Sequence, residues 1–377
     1  MKYSTIIFLS TLLLGSLAFG QEQVIKNTPN GPYEFSVEIN HAATPVKSQG
    51  NSGTCWSFST VSFLESELLR MGKEEVDFSE MFVVRKIYQD KANLYVRMHG
   101  KGQFSPGGTF HDVMNVVRHH GMMPQQAYPG KKVDPNKHNH GEMDAVLEGM
   151  LNSLIKRRTL TTKWKDALSG VLDAYLGPQP ERMEVDGQEM TPADYASSLG
   201  INPDDYIELS SFTHQPYYKP FVLEIPDNWD WNQVYNLPLE EMMEVMTYAL
   251  EKGYTVAWDG DVSEKGFMHG KSIAVVPANP AMVPGNDVVK EKVITAENRQ
   301  EAFDNYKTTD DHLMHITGMA KDQKGTTYFV TKNSWGVNSN ACGGYLYMSD
   351  AYVRYKTVHI MVHKDAVPKK ILKKIGL

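Results

Sequence analysis

Apolar side chains recur at helical spacing along several stretches of this chain. After Gln49-Gly50-Asn51-Ser52-Gly53-Thr54, a run of small and turn-forming residues, Phe58, Val61, Leu64, Leu68 and Leu69 fall at i, i+3, i+4 positions. Gly72 stands where a C-cap belongs, so the pattern predicts a helix that begins at Cys55. Asp77-Phe78-Ser79-Glu80 reads as the start of a second helix, with Met81, Val84 and Ile87 on one face. Residues 98–109 are Gly-rich and predict a loop. Phe110 to His120 is a third helix, with Phe110, Val113, Met114 and Val117 inward and Gly121 stopping it. Residues 141–176 hold a long helical pattern through Met143, Leu147, Met150, Leu154, Trp164, Leu168, Val171 and Leu172. Leu239 to Lys252 is another, with Met242, Val245, Met246 and Leu250 inward. Beyond it the pattern turns to strands at Thr255 to Trp258 and over residues 311–320, 326–333, 344–348 and 357–363.

This order predicts an α+β protein with two lobes. Residues 21–40 are polar, with Asn-Gly and Gly-Pro signals, and read as a surface arm. The helical lobe runs to residue 130, and residues 131–229 read as a helical insertion with an extended return through 200–224. Residues 230–377 make the β-rich lobe. Residues 1–20 read as a signal peptide, with Lys2, an apolar Ile6 to Leu14, and Ala18-Phe19-Gly20 as the cleavage site. The expected setting is therefore exported, periplasmic or secreted, with no membrane association once the signal is removed.

Composition narrows the chemistry. The net charge is −7, and −8 without Lys2, which points away from a nucleic-acid partner. Only Cys55 and Cys342 are present, so an exported chain of this length is not a disulfide scaffold, and two free thiols are expected. Lys137-His138-Asn139-His140 suggests a metal site at first sight, but no further ligands stand at suitable spacing, and it reads as a solvated loop.

A thiol at the first turn of a helix meets free N–H groups and the positive dipole end, which favour a thiolate nucleophile. Such a nucleophile needs a base, a group that orients the base, and donors for an oxyanion. His312, at the head of a predicted strand, is the candidate base. Asn333 follows it by 21 residues, and a turn at Lys321–Gly325 would bring the two side by side. Trp335 can shield their hydrogen bond, and Gln49, with the Cys55 N–H, can hold an oxyanion. His315 falls on the opposite strand face and reads as a packed histidine. Cys342 reads as an incidental free thiol in a loop.

Gln49, Gly53-Thr54-Cys55-Trp56-Ser57-Phe58, Asp311-His312 and Asn333-Ser334-Trp335-Gly336, in this order, resemble the papain-like cysteine peptidases. His312 follows Cys55 by 257 residues, against the roughly 130–150 of papain itself. That gap, the missing disulfides, and stretches such as Pro106-Gly107-Gly108, Met190-Thr191-Pro192 and Asn236-Leu237-Pro238-Leu239 resemble the bleomycin hydrolase/aminopeptidase C branch. The resemblance implies a papain-like two-lobe fold, a peptide substrate, no cofactor and no metal. It implies Cys55, His312, Asn333 and Gln49 as catalytic residues. Gly107 and Gly108 would bind extended substrate through their backbone, beside Trp335. A homo-hexamer and an aminopeptidase activity are likewise implied, the activity through a C-terminal tail whose carboxylate captures the substrate amine. Here the chain runs only briefly past Val367-Pro368, to Lys373-Lys374-Ile375-Gly376-Leu377. An open-cleft endopeptidase is the alternative, and an inactive binding protein on the same fold is a second.

Overall fold

The computed structural model describes residues 24–377, so the expected signal peptide lies outside the described residues. The chain opens with strands β1 (Val24–Lys26) and β2 (Glu34–Asn40), then enters the helices α1 (Cys55–Arg70), α2 (Glu80–Arg97) and α3 (Phe110–His120). Helices α4 (Gly141–Leu154) and α5 (Lys163–Leu176) follow, then the hairpin β3 (Met183–Val185) and β4 (Gln188–Met190), and α6 (Pro192–Leu199). Strands β5 (Tyr206–Ser210), β6 (Pro220–Val222) and β7 (Gln233–Asn236) lead to α7 (Leu239–Glu251) and β8 (Val256–Gly260). Next come β9 (Phe267–Met268), β10 (Ile273–Ala274), α8 (Ala296–Asp304), β11 (His312–Asp322), β12 (Thr327–Lys332) and β13 (Tyr345–Ser349). Helix α9 (Asp350–Lys356), β14 (Thr357–His363) and α10 (Lys369–Ile375) close the chain.

The helix starts follow from their caps. Ser79 Oγ accepts the Phe82 N–H at the head of α2, and Thr109 with Asp112 makes a capping box for α3. Leu64, Leu68, Phe82, Val113, Leu147 and Leu172 are buried together in one helical core. A second core joins α7, the central strands and α10 through Met242, Met246, Trp258, Met314, Ile360 and Ile371.

The main sheet runs β6-β7-β5-β14-β8-β11-β12-β13-β10-β9, and β2 also pairs β11. Strand β11 organises it. The half from His312 to Ile316 pairs β8, a bulge follows between Ile316 and Gly318 in its pairing with β12, and the half from Gly318 to Asp322 pairs β2. A Cβ on Gly318 would collide with the Ile39 carbonyl, which is why glycine stands where β2 closes on β11.

Three expectations change. Residues 34–40 are a sheet strand rather than a surface arm, because Phe35 packs in a core with Tyr328 and Tyr347. The long pattern over 141–176 breaks into α4 and α5. The extended return expected over 200–224 is not part of a separate insertion: its strand β5 joins the main sheet against β14.

Candidate active site

The N-terminus of α1 meets the head of β11. Cys55 is 9% exposed, and the backbone N–H of Leu313, the residue after His312, lies close enough to its thiol to favour the thiolate. Thr54 offers α1 no side-chain cap, since its Oγ1 bonds Ser52 Oγ at 2.6 Å, and the first turn of α1 holds no acid. Trp56 packs beneath the 106–108 loop, with Nε1 donating to the Pro106 carbonyl at 2.9 Å. A Cβ on Gly108 would press on the Trp56 ring, so only glycine lets the loop lie this close to the start of α1. The Gly107 carbonyl accepts from the Lys91 ammonium.

His312 and Asn333 are brought together as the strand pairing requires. His312 Nε2 donates to Asn333 Oδ1 at 2.7 Å, and the Trp335 ring lies 5.0 Å from the imidazole, centroid to centroid. Asn333 Oδ1 also accepts the Ser334 N–H at 2.7 Å. Gln49 is tied to the same turn: its Oε1 accepts Ser334 Oγ at 2.7 Å, and its N–H donates to the Ser334 carbonyl at 2.8 Å. Gln49 Nε2 spends one proton on the Ser52 carbonyl at 2.8 Å, and an amide nitrogen carries a second. Ser334 thus links Asn333 and Gln49, a role that nothing in the motif announces.

His269 escaped the sequence reading, since no motif surrounds it. Its Nδ1 lies 3.2 Å from Asn333 Nδ2, its Nε2 lies 2.8 Å from Ser339 Oγ, and its ring meets Trp335 edge-on. Ser339 Oγ spends its single proton on the Gly336 carbonyl at 2.6 Å. It must therefore accept from His269 Nε2–H, which leaves Nδ1 with a lone pair for Asn333 Nδ2. This chain fixes the amide with Oδ1 toward His312. His312 then carries its proton on Nε2, and Nδ1 is its basic nitrogen.

Burial pushes the Cys55 thiol up to about 12, with the Leu313 N–H pulling it back and the charges of Asp310, Asp227 and Asp259 adding to the rise. Burial takes His312 down to about 4, against the Asn333 hydrogen bond and the Asp259 charge. Burial, with the charge of His312, takes His269 down to about 4, so it is neutral at pH 7 and can accept. His315 sits on the other side of β11, fully buried, with Nδ1 2.9 Å from Ser62 Oγ. Burial and the nearby Lys332 hold its pKa well below the usual imidazole value.

Both thiols are free; Cys342 packs toward the Lys26 and Asn27 carbonyls. His138 and His140 are not in a solvated loop. Both rings are buried, and the segment pairs with Asn51 of the nucleophile loop through Asn51 N–H to His138 O at 2.9 Å and His140 N–H to Asn51 O at 3.0 Å. Among the described residues, His111, Asp112 and Asp230 come close enough to suggest a metal site. Their donors are already engaged, however: Asp112 accepts from Trp229 Nε1 and Thr109 N, and His111 Nε2 meets Asp230 at 2.7 Å. No helix among the described residues is long and apolar enough to cross a membrane.

Comparison with known proteins places this geometry. A family model described as the peptidase C1-like family matches residues 182–376, and one described as papain family cysteine protease matches residues 32–169. The chain is 20% identical to aminopeptidase E of Lactobacillus helveticus, over 89% of this chain and 84% of that one. It is 21% identical to aminopeptidase C of Listeria monocytogenes, over 90% and 84%, and 21% identical to bleomycin hydrolase of Gallus gallus, over 93% and 86%. In fold it is similar to the crystal structure of PepW from Lactobacillus rhamnosis, with a TM-score of 0.70 at 17% identity, covering 90% of this chain and 84% of that one. The chain belongs to the peptidase C1-like family and is a papain-like cysteine peptidase of the bleomycin hydrolase/aminopeptidase C branch.

Proposed function

We propose that this chain cleaves peptide bonds through a Cys55 acyl-enzyme and acts as an aminopeptidase. The observation that carries the mechanism is the 2.7 Å bond from His312 Nε2 to Asn333 Oδ1, which turns the other imidazole nitrogen into the base. Transfer of the Cys55 proton to His312 creates two opposite charges together, so each offsets the burial penalty of the other. The thiolate attacks the carbonyl carbon, and the oxyanion is held by the Cys55 N–H and the second Gln49 Nε2 proton. His312 gives its proton to the leaving amine, and water then releases the acyl group. Trp335, 38% exposed, covers the His312–Asn333 bond from solvent.

The aminopeptidase reading draws on the relatives named aminopeptidase E and aminopeptidase C. One observation favours the endopeptidase alternative. Helix α10 is seated on α7, with Ile371 and Ile375 in the second core and Lys374 Nζ 2.6 Å from Glu241. Residues 371–375 are thus engaged there. The test is one peptide, with its N-terminus free or acetylated, incubated with reduced protein and read by mass. Trimming of the free peptide alone supports the aminopeptidase; internal cuts in the acetylated peptide support the alternative. A Cys55→Ala variant should lose all turnover, and full activity in it would refute the mechanism.

A further inference from the structure

Three carboxylates converge on the Gly107 side of Cys55 from distant parts of the chain. Asp259 lies on β8 opposite Leu313, the residue whose N–H meets the Cys55 sulfur. Asp310 precedes His312 by two residues, where the charges of Asp259 and Asp227 act on its buried carboxyl. Asp227 stands against Gly107, where a Cβ would collide with its carboxylate, and Oδ1 accepts from Gln103 at 2.7 Å.

Their positive charge is in deficit. Asp259 is wholly buried; Oδ2 accepts from His359 at 2.8 Å, but Oδ1 has no hydrogen-bond donor among the described residues. Both carboxylate oxygens of Asp310 are buried and likewise lack a donor. Behind Asp259 the buried network continues through His359 and Glu208 (3.2 Å) and Glu208 and His111 (3.6 Å) to Asp230. Lys91, the cation whose charge acts on Asp227, is committed to the Ser105 and Gly107 carbonyls. Buried carboxylates without donors cost stability, so an arriving cation would be bound with gain. A metal is a poor fit, because these three residues do not bring their oxygens within 4.8 Å of one another; an ammonium held by one or two of the acids, with the others acting through their charge, needs no such cage.

We propose that Asp227, Asp259 and Asp310 form a receptor for an ammonium group on the acyl side of the scissile peptide bond. The inference deepens the aminopeptidase reading and rests on it: the α-amine of the substrate would sit among these acids, while α10 occupies its place on α7. A lysine side chain two residues before the cleaved bond carries the same chemistry.

The test separates binding from turnover. Calorimetry at pH 7 on the Cys55→Ala protein compares alanyl-phenylalanine amide, its N-acetyl form, and N-acetyl-lysyl-phenylalanine amide. The free amine should bind about 10- to 100-fold more tightly than the acetyl form, the size expected of a charge-assisted contact. Adding Asp310→Asn, or separately the half-exposed Asp227→Asn, should erase most of that preference. The second variant keeps the test decisive if the first fails to fold. Preference for the lysyl peptide alone also supports the receptor and assigns its source to a side chain. Equal affinity for all three peptides, or a preference that both Asn variants retain, overturns it. Tight amine-dependent binding without turnover by the wild-type protein would instead refute the peptidase reading and leave the receptor standing.

Discussion

At the scale of single residues, the proposed catalysis depends on which way an amide points. Asn333 serves His312 only with Oδ1 toward it, and that choice is made by His269, which accepts from Nδ2 at 3.2 Å. His269→Phe keeps an aromatic ring against Trp335 and removes the acceptor. We expect kcat to fall about 5- to 10-fold, equivalent to one hydrogen bond of about 1 kcal/mol, with KM little changed. An unchanged kcat with a lowered Tm would mean that His269 only packs. The acids give a second residue-scale prediction. Asp310 is held well above the usual carboxylate range, by burial first and then by the charges of Asp259 and Asp227. Asp310→Asn should therefore raise Tm by about 2 °C or more, as relief of a buried like-charge contact would, while weakening amine recognition. A fall in Tm would mark the carboxyl as structural.

At the scale of elements, what the sequence disclosed depended on how local its signal was. Helices α1 and α3 were legible to within a residue or two, because apolar spacing and the glycines at 72 and 121 act inside one segment. Cys55, His312 and Asn333 were legible as a constellation, since a chemical role narrows the residue types and their order. Strand β2 was not read, although Phe35, Val37 and Ile39 alternate; the turn signals around Asn30 and Gly31 outweighed the period. The acid cluster could not be read at all. Residues 227, 259 and 310 share no local pattern; 259 and 310 meet only when β8 and β11 pair, and Asp227 arrives where its loop closes on Gly107. Strand β2 offers a test of how much the sheet relies on it. Phe35 is fully buried, stacked 3.9 Å from Tyr347 and edge-on to Tyr328. Phe35→Ala should cost about 3–5 kcal/mol in a denaturant melt. A loss under about 1 kcal/mol would return residues 34–40 to the role of a surface arm.

At the scale of the whole molecule, buried titrating groups pull stability in opposite directions as pH falls, and the signs can be worked out. Burial lowers His138 to about 3 and His140, His269 and His312 to about 4, from 6.5. A depressed histidine stabilises the fold above its unfolded value, and that contribution is lost as pH drops from 6.5 toward the folded pKa. Burial also raises Glu80 and Glu291 to about 7 from 4.5, and Asp112 to about 6 from 3.8. A raised carboxyl does the reverse: its penalty is present above the folded pKa and is relieved as pH falls toward the unfolded one. His359, raised to about 9 by its hydrogen bonds to Asp259 and Glu208 despite burial, adds stability that is complete below 6.5. Between pH 7 and about 4.5 these terms oppose one another, so stability should change little. Below about 4.5 the relief of the carboxyls is nearly spent while the histidines still have protons to take up. Stability should then fall steeply, because the unfolded chain binds more protons than the folded one. Urea melts at half-unit steps from pH 7.5 to 3.5 would trace the curve. A midpoint that keeps rising below pH 4.5 would mean that the buried histidines are already charged in the fold, and His269 could then no longer accept from Asn333.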